Sequence, residues 1–284
     1  MDGMVDARNT KTVEAFSESG FLIVRDLISK NDIEDLRRGM KEASGLDESS
    51  YPDTWTPADA AQYEMTWPII FNKDLLTIVS HLLGNKAVWT THADLHINLR
   101  PGPGEEINWH RDNLYREFGV GPDWVDDYKM VRVAIYLDHH EQHRANLHVQ
   151  YGSHKNGSGP EMSIETNPGD VIIFDQRLLH GTIPPKASKF SLFLSYGVDG
   201  IHSARHRGYY RILRWDLKYS MPKEEFTRRL IEHGMAPRHE LIPELETTRG
   251  VHIKSSSDAT KAYLTTQNKS DAANMVIIWP HEIG

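Results

Sequence analysis

At 284 residues, with 39% hydrophobic and 25% charged residues, the chain can bury a substantial core and has the composition of an ordinary globular protein. A formal charge of −8 argues against a general nucleic-acid or anionic-membrane binder. Cysteine is absent, which excludes disulfides, thiolate zinc sites, cysteine-ligated iron–sulfur clusters and cysteine nucleophiles. Met1 to Thr10 is polar, and no apolar run approaches the roughly 18–20 residues of a membrane span. The expectation is a cytoplasmic protein whose partner is a small molecule, not a nucleic acid or a membrane.

In chain order, Thr12 to Ser17 reads as a short helix before the β-branched strand Gly20 to Val24. Ser29 is placed to cap a helix over Asp32 to Ala43, where Ile33, Leu36 and Met40 recur at helical spacing. Ser44 to Ala61 is polar and broken by Gly45, Pro52 and Pro57. Leu75, Leu76, Val79, Leu82 and Leu83 form an apolar helical face that stops at Gly84. Beyond Lys86 the period changes. Ala87 to Leu99 alternates, with Leu95, Ile97 and Leu99 on one side and His96, Asn98 and Arg100 on the other. Val131 to Leu137 is the clearest strand, and Leu147 to Val149, Met162 to Ile164, Val171 to Phe174 and Phe190 to Tyr196 follow between turn residues.

Short strands at this spacing suggest a sandwich or barrel rather than a parallel sheet with crossover helices. The fold expected is mainly β with flanking helices. One domain spans residues 1–284: a helical part to about 85, a jelly-roll core over about 86–200 and a helical extension over about 201–284. Pro222 to His233 reads as a helix with Phe226, Leu230 and Ile231 on one face. The weakly patterned tail beyond Pro243 has two uses open to it, wrapping the domain or packing in a homodimer.

The chemistry concentrates in two segments. Asn108-Trp109-His110-Arg111-Asp112 follows a Pro/Gly-rich turn, and His180-Gly181 closes a buried strand 70 residues after His110. Two histidines and a carboxylate on one face of a metal, with positions left open, form the facial triad of non-haem Fe(II) oxygenases. With sixteen histidines, a chance His-x-Asp is expected, and His92-Ala93-Asp94 is a second copy. The turn before His110 favours the His110–Asp112 pair. Asp170, Asp175 and Gln176 are candidates to orient His180 through its other ring nitrogen. His139 to His143 lacks the HExxH order of zinc proteases and reads as a solvated loop, and Gly152 to Gly159 lacks a GK[ST] and reads as a turn.

These segments resemble the phytanoyl-CoA dioxygenase (PhyH-like) family of Fe(II)/2-oxoglutarate-dependent oxygenases. The likeness is carried by Gly20 to Asp26, Asn98 to Gly102, Trp109 to Asp112, Tyr151 to Lys155 and Gly169 through Gly181, in the family's order. The resemblance implies a double-stranded β-helix core, Fe(II) held by His110, Asp112 and His180, and 2-oxoglutarate and O2 as co-substrates. The family holds the distal carboxylate of 2-oxoglutarate with a basic residue, usually arginine, shortly after the second histidine. Here that arginine is missing. Lys189, with Ser191 as a hydroxyl partner, is the nearest replacement, Arg132 is the alternative, and Asn98 matches a position that touches the co-substrate. Arg144-Ala145-Asn146 and Tyr151 are further departures, which affect loop shape.

Asp112 distinguishes the chain from related halogenases, which carry a small residue there, so hydroxylation of a C–H bond is the expected outcome. Arg205, Tyr209 and neighbouring cations and aromatics, with Arg177, Lys129 and a lid holding Tyr115 and Trp124, suggest a small polar or anionic substrate. Two rival readings stay open: a cupin-type metal enzyme that does not use 2-oxoglutarate, and a catalytically silent jelly-roll binding protein.

Overall fold

The computed structural model describes residues 10–46, 54–57, 59–98, 106–112, 117–118, 121–122, 128–138, 147–183, 189–204, 206–207, 224–238 and 277–278. The N-terminal helices are α1 (Thr10–Ser19), α2 (Lys30–Ser44), the short α3 (Trp67–Ile70) and α4 (Lys73–Leu83). Their ends follow from local chemistry. The Ser29 hydroxyl accepts from the Asp32 amide at the start of α2, and the Asn72 side chain accepts from Leu75 at the start of α4. Gly84 ends α4 at φ 65°, a left-handed geometry that costs glycine least.

The strands are β1 (Phe21–Val24), β2 (Thr54–Trp55), β3 (Ala87–Asn98), β4 (Glu117–Phe118), β5 (Gly121–Pro122), β6 (Met130–Tyr136), β7 (Leu147–Gln150), β8 (Glu161–Ile164), β9 (Val171–Asp175), β10 (His180–Thr182), β11 (Lys189–Val198) and β12 (Ile277–Ile278). Seven form a major sheet in the order β12-β1-β9-β6-β11-β3-β2, and three form a minor sheet, β10-β7-β8. Every pairing is antiparallel except β1 with β12. Two facing sheets, antiparallel but for the β1–β12 edge, make the expected jelly roll with this connectivity.

Alternation along the major sheet divides it into two faces. Leu22, Ile173, Val133, Leu192, Leu194, Leu95 and Ile97 point outward into an apolar layer covered by Leu36, Met40, Leu75 and Val79 of the helices. The other face looks at the minor sheet. At the β1–β9 end it is apolar, with Phe21, Ile23, Ile172 and Phe174 packed on Leu147, Val149 and Ile164. At the β3–β11 end it turns polar and opens a cavity.

Several sequence expectations change in detail. Trp55 and Thr54, within a stretch expected to be loop, pair with Ile97 and Asn98 as an added edge strand. The Gly152 to Gly159 turn contains one helical turn, α5 (Ser153–Asn156). The C-terminal helix, Glu224–Glu232, buries Phe226 and Leu230 against the outer layer. Ile231, expected on the same face, is 63% exposed, because its neighbour Leu230 occupies the buried side of the turn. Within the tail, Ile277–Ile278 adds a parallel strand to β1.

Candidate metal centre and co-substrate cavity

His110 and His180 meet through their backbones. The His110 amide donates to the His180 carbonyl at 2.8 Å, and the reverse bond is 2.9 Å. This bridge extends the minor sheet past β10 and sets the two rings 4.3 Å apart, centroid to centroid. Gly181 permits it, since a Cβ there would lie 2.5 Å from the Asn108 carbonyl oxygen. Asp112, two residues on, brings a carboxylate to the same point, and one ligand atom from each of the three residues lies within 4.8 Å of the others.

Both rings are oriented by backbone carbonyls. His110 Nδ1 lies 2.9 Å from Asn108 O, and His180 Nδ1 lies 2.8 Å from Leu178 O. A carbonyl only accepts, so each Nδ1 carries the proton and each Nε2 is left with a lone pair for a metal. Burial, reinforced by His110, pushes the His180 pKa down to about 4, so this ring is neutral at physiological pH. The candidate orienters Asp170, Asp175 and Gln176 do other work. Asp170 binds Arg25 and the Asp26 amide, Asp175 binds Arg177, and Gln176 bonds Ser195 and Tyr128.

The triad lies on a cavity of about 440 Å³ whose floor is the polar part of the major sheet. Register explains which residues gather there. Lys189 stands opposite Asn98, Ser191 opposite His96 and Tyr136, and Phe193 opposite Asp94. All seven line the cavity. Lys189 is buried, with Nζ 4.9 Å from the centre of the Tyr136 ring, and no carboxylate among the described residues pairs with it. Burial lowers its pKa to about 8. Beside it, the Ser191 hydroxyl and the Tyr136 phenol are buried without a hydrogen-bond partner among the described residues. Burial also raises the Tyr136 pKa, which keeps the phenol protonated. One cation and two unsatisfied hydroxyls lining the same cavity suit a carboxylate.

Arg132 faces the same cavity at its metal end. Its guanidinium binds the Asp94 carboxylate and donates to Ser195 Oγ at 3.0 Å, while Nε stands 4.0 Å from an Asp112 oxygen. These contacts direct Arg132 to the ligand carboxylate and away from the Lys189 corner. Asp94 is thereby engaged by Arg132, and the side chain of His92 lies outside the described residues. Arg177 turns back onto Asp175 and stacks over Tyr128, and it does not line the cavity. Exposed Lys129 is also off the cavity. Tyr115, Trp124, His139 to His143, Arg205 and Tyr209 lie outside the described residues. His96, Phe174, Thr182 and Phe193 line the site without having been singled out. For His96 the signal was present, since it alternates in phase with Asn98.

The family model for phytanoyl-CoA dioxygenase (PhyH) matches residues 16–190, more than half of the chain. The chain belongs to that family. Its members are Fe(II)/2-oxoglutarate-dependent oxygenases, and Fe(II), 2-oxoglutarate and O2 are the cofactor and co-substrates that go with membership. Among solved structures, EctD from S. alaskensis with 2-oxoglutarate and 5-hydroxyectoine is 19% identical, covering 70% of this chain and 82% of that one at a TM-score of 0.52. HygX from Streptomyces hygroscopicus, with nickel and 2-oxoglutarate bound, is 16% identical over 66% of this chain and 87% of its own, with a TM-score of 0.54. The non-heme alpha ketoglutarate dependent epimerase SnoN from nogalamycin biosynthesis is 12% identical over 66% and 82%, also at 0.54. At these identities the likeness is one of fold. No curated protein matches the sequence. Among the described residues, no helix is long and apolar enough to cross a membrane.

Proposed function

We propose that the protein hydroxylates a C–H bond of a small polar or anionic metabolite, coupled to conversion of 2-oxoglutarate and O2 to succinate and CO2. The observation that carries the reading is the joining, in one cavity, of the His110–Asp112–His180 cluster with the Lys189–Ser191–Tyr136 corner. Iron, when bound, supplies the activation of O2 and the oxidising power. The chain's own residues supply geometry and charge. His110 and His180 turn Nε2 away from the carbonyls that hold Nδ1, and Asp112 adds the carboxylate that would retain a divalent cation.

Lys189, Ser191 and Tyr136 bind the distal carboxylate of 2-oxoglutarate, with Asn98 beside Lys189 on the neighbouring strand. A lysine serves here as a point charge, and the two hydroxyls replace the directional bonds that an arginine fork would give. A bound carboxylate would satisfy two orphaned hydroxyls and one desolvated ammonium at once, which favours the loaded state. Phe174 packs against the His180 ring at 4.7 Å and Phe193 lines the same wall, which limits water near the metal. The polar or anionic character of the substrate is supported by the cations and aromatics around Arg205 and Tyr209 in the sequence. Both EctD and HygX hold 2-oxoglutarate in this fold.

Succinate formation from 2-oxoglutarate, dependent on Fe(II) and O2, tests the reading. Even without the prime substrate, slow uncoupled turnover is expected in wild type and none in His180→Ala. Metal binding with no succinate would favour a cupin-type enzyme. Neither metal nor succinate would leave a binding protein.

A further inference from the structure

Outside the cavity, one turn touches both segments that carry the metal ligands. Ser153, buried at the start of α5, accepts a 2.8 Å hydrogen bond on its hydroxyl from the Leu179 amide. Its carbonyl accepts from Arg111 at 3.2 Å, and the same guanidinium nitrogen also donates to the Gly157 carbonyl. Leu179 precedes His180, and Arg111 lies between His110 and Asp112.

The Leu179 contact is more direct than proximity suggests. The Leu179 N–H and the Leu178 C=O belong to one planar peptide unit. Its N–H end is held by Ser153, and its C=O end accepts the His180 Nδ1 proton at 2.8 Å. Turning that peptide would break both bonds and rotate the ligand ring. The turn is itself secured to the end of α1. The Gly152 amide donates to Ser19 O at 2.8 Å, His154 Nε2 donates to Ser17 O at 3.0 Å, and Lys155 Nζ donates to Ser17 Oγ at 2.8 Å.

We propose that the Ser153 hydroxyl is a positioning group for the metal: through the Leu178–Leu179 peptide it fixes the His180 ring, while Arg111 ties the same turn to the His110–Asp112 segment. The inference rests on the Fe(II) reading above. Partners that orient a metal-bound histidine typically govern metal affinity by 10–100-fold. An element that only braced the fold would change the stability of the metal-free protein and leave affinity alone.

The test is anaerobic titration of Fe(II) into wild type, Ser153→Ala, Arg111→Lys and Lys155→Ala, alongside melting of each metal-free protein. Wild type must bind with a Kd that His180→Ala destroys; failure at this step overturns the Fe(II) reading itself. Given wild-type binding, Ser153→Ala is expected to weaken Fe(II) about tenfold. Arg111→Lys should weaken it by less, since an ammonium can keep part of the bonding that one guanidinium nitrogen makes to the two carbonyls. Lys155→Ala removes one of the three bonds to α1 without touching the ligand peptide, and its Kd should stay within twofold of wild type. A Co(II)-loaded sample gives a second readout, with the visible absorption altered in Ser153→Ala and unaltered in Lys155→Ala. Unchanged affinity in folded Ser153→Ala, or an equal loss in Lys155→Ala, would overturn the proposal. Should Ser153→Ala fail to fold, an unchanged Kd in Arg111→Lys overturns it in the same way.

Discussion

The two faces of the major sheet are built from the same strands and obey opposite rules. On β11, Phe190, Leu192 and Leu194 face the helices, while Lys189, Ser191, Phe193 and Ser195 face the interior. Outward, every position is filled by apolar bulk and satisfied by contact. Inward, a buried lysine and two hydroxyls without partners among the described residues sit where an apolar core would be more stable. The difference teaches where stability was given up for binding: one residue along the strand separates the two.

The largest expected effects come from the inner face. His110→Ala or Asp112→Ala should abolish Fe(II) binding and lower any succinate production by about a thousandfold or more, read by anaerobic titration and product analysis. Next, Lys189→Met should weaken 2-oxoglutarate by about 100-fold, because truncating one partner of a buried charge pair costs several kcal/mol. The same change should raise the melting temperature of the metal-free protein, since it removes a desolvated charge. A Lys189→Met protein that melts lower and binds 2-oxoglutarate normally would erase the distinction between the faces.

The outer face should respond in the reverse sense. Leu192→Ala, deep in the helix-covered layer, should cost about 2–5 kcal/mol in denaturant unfolding and leave the Kd for 2-oxoglutarate unchanged at a temperature where the variant is folded. A subtler effect is expected with pH. The folded pKa of Lys189 is about 8, below that of a free lysine, so the unfolded chain holds more protons between about pH 8 and 10.4. Stability of the metal-free protein should therefore gain a contribution from this residue as pH rises through that window, and Lys189→Met should lose it. Binding of 2-oxoglutarate runs the other way. It should weaken above about pH 8 as the ammonium is lost, a trend visible by titration calorimetry.

What was legible from sequence follows the same division. Outward positions repeat as Leu, Ile and Val at period two, and helix ends carry Ser29 and Gly84, so sheet and helices could be read directly. The grouping of His110, Asp112 and His180, whose ligand atoms the fold brings together, was legible from context, a Pro/Gly turn before His110 and Gly181 after a buried strand, and not from residue type alone. The orienters of the two histidines were not, because they are the carbonyls of Asn108 and Leu178, which leave no side-chain signature. The different settings of Lys189, with no carboxylate partner among the described residues, and Arg132, which Asp94 holds, depended on register. Asn98 stands across from Lys189 and Ser195 across from Arg132, and no local pattern encodes that alignment. Ile231 failed for a related reason, since helical spacing gives a face but not its edge.

The most direct test is anaerobic calorimetric titration of 2-oxoglutarate into the protein with and without Fe(II), repeated on Lys189→Met. Tight binding that requires Fe(II) and is lost in Lys189→Met is the expected result, placing metal and carboxylate corner in one site. Binding of Fe(II) with no binding of 2-oxoglutarate, or binding indifferent to Lys189, would contradict it.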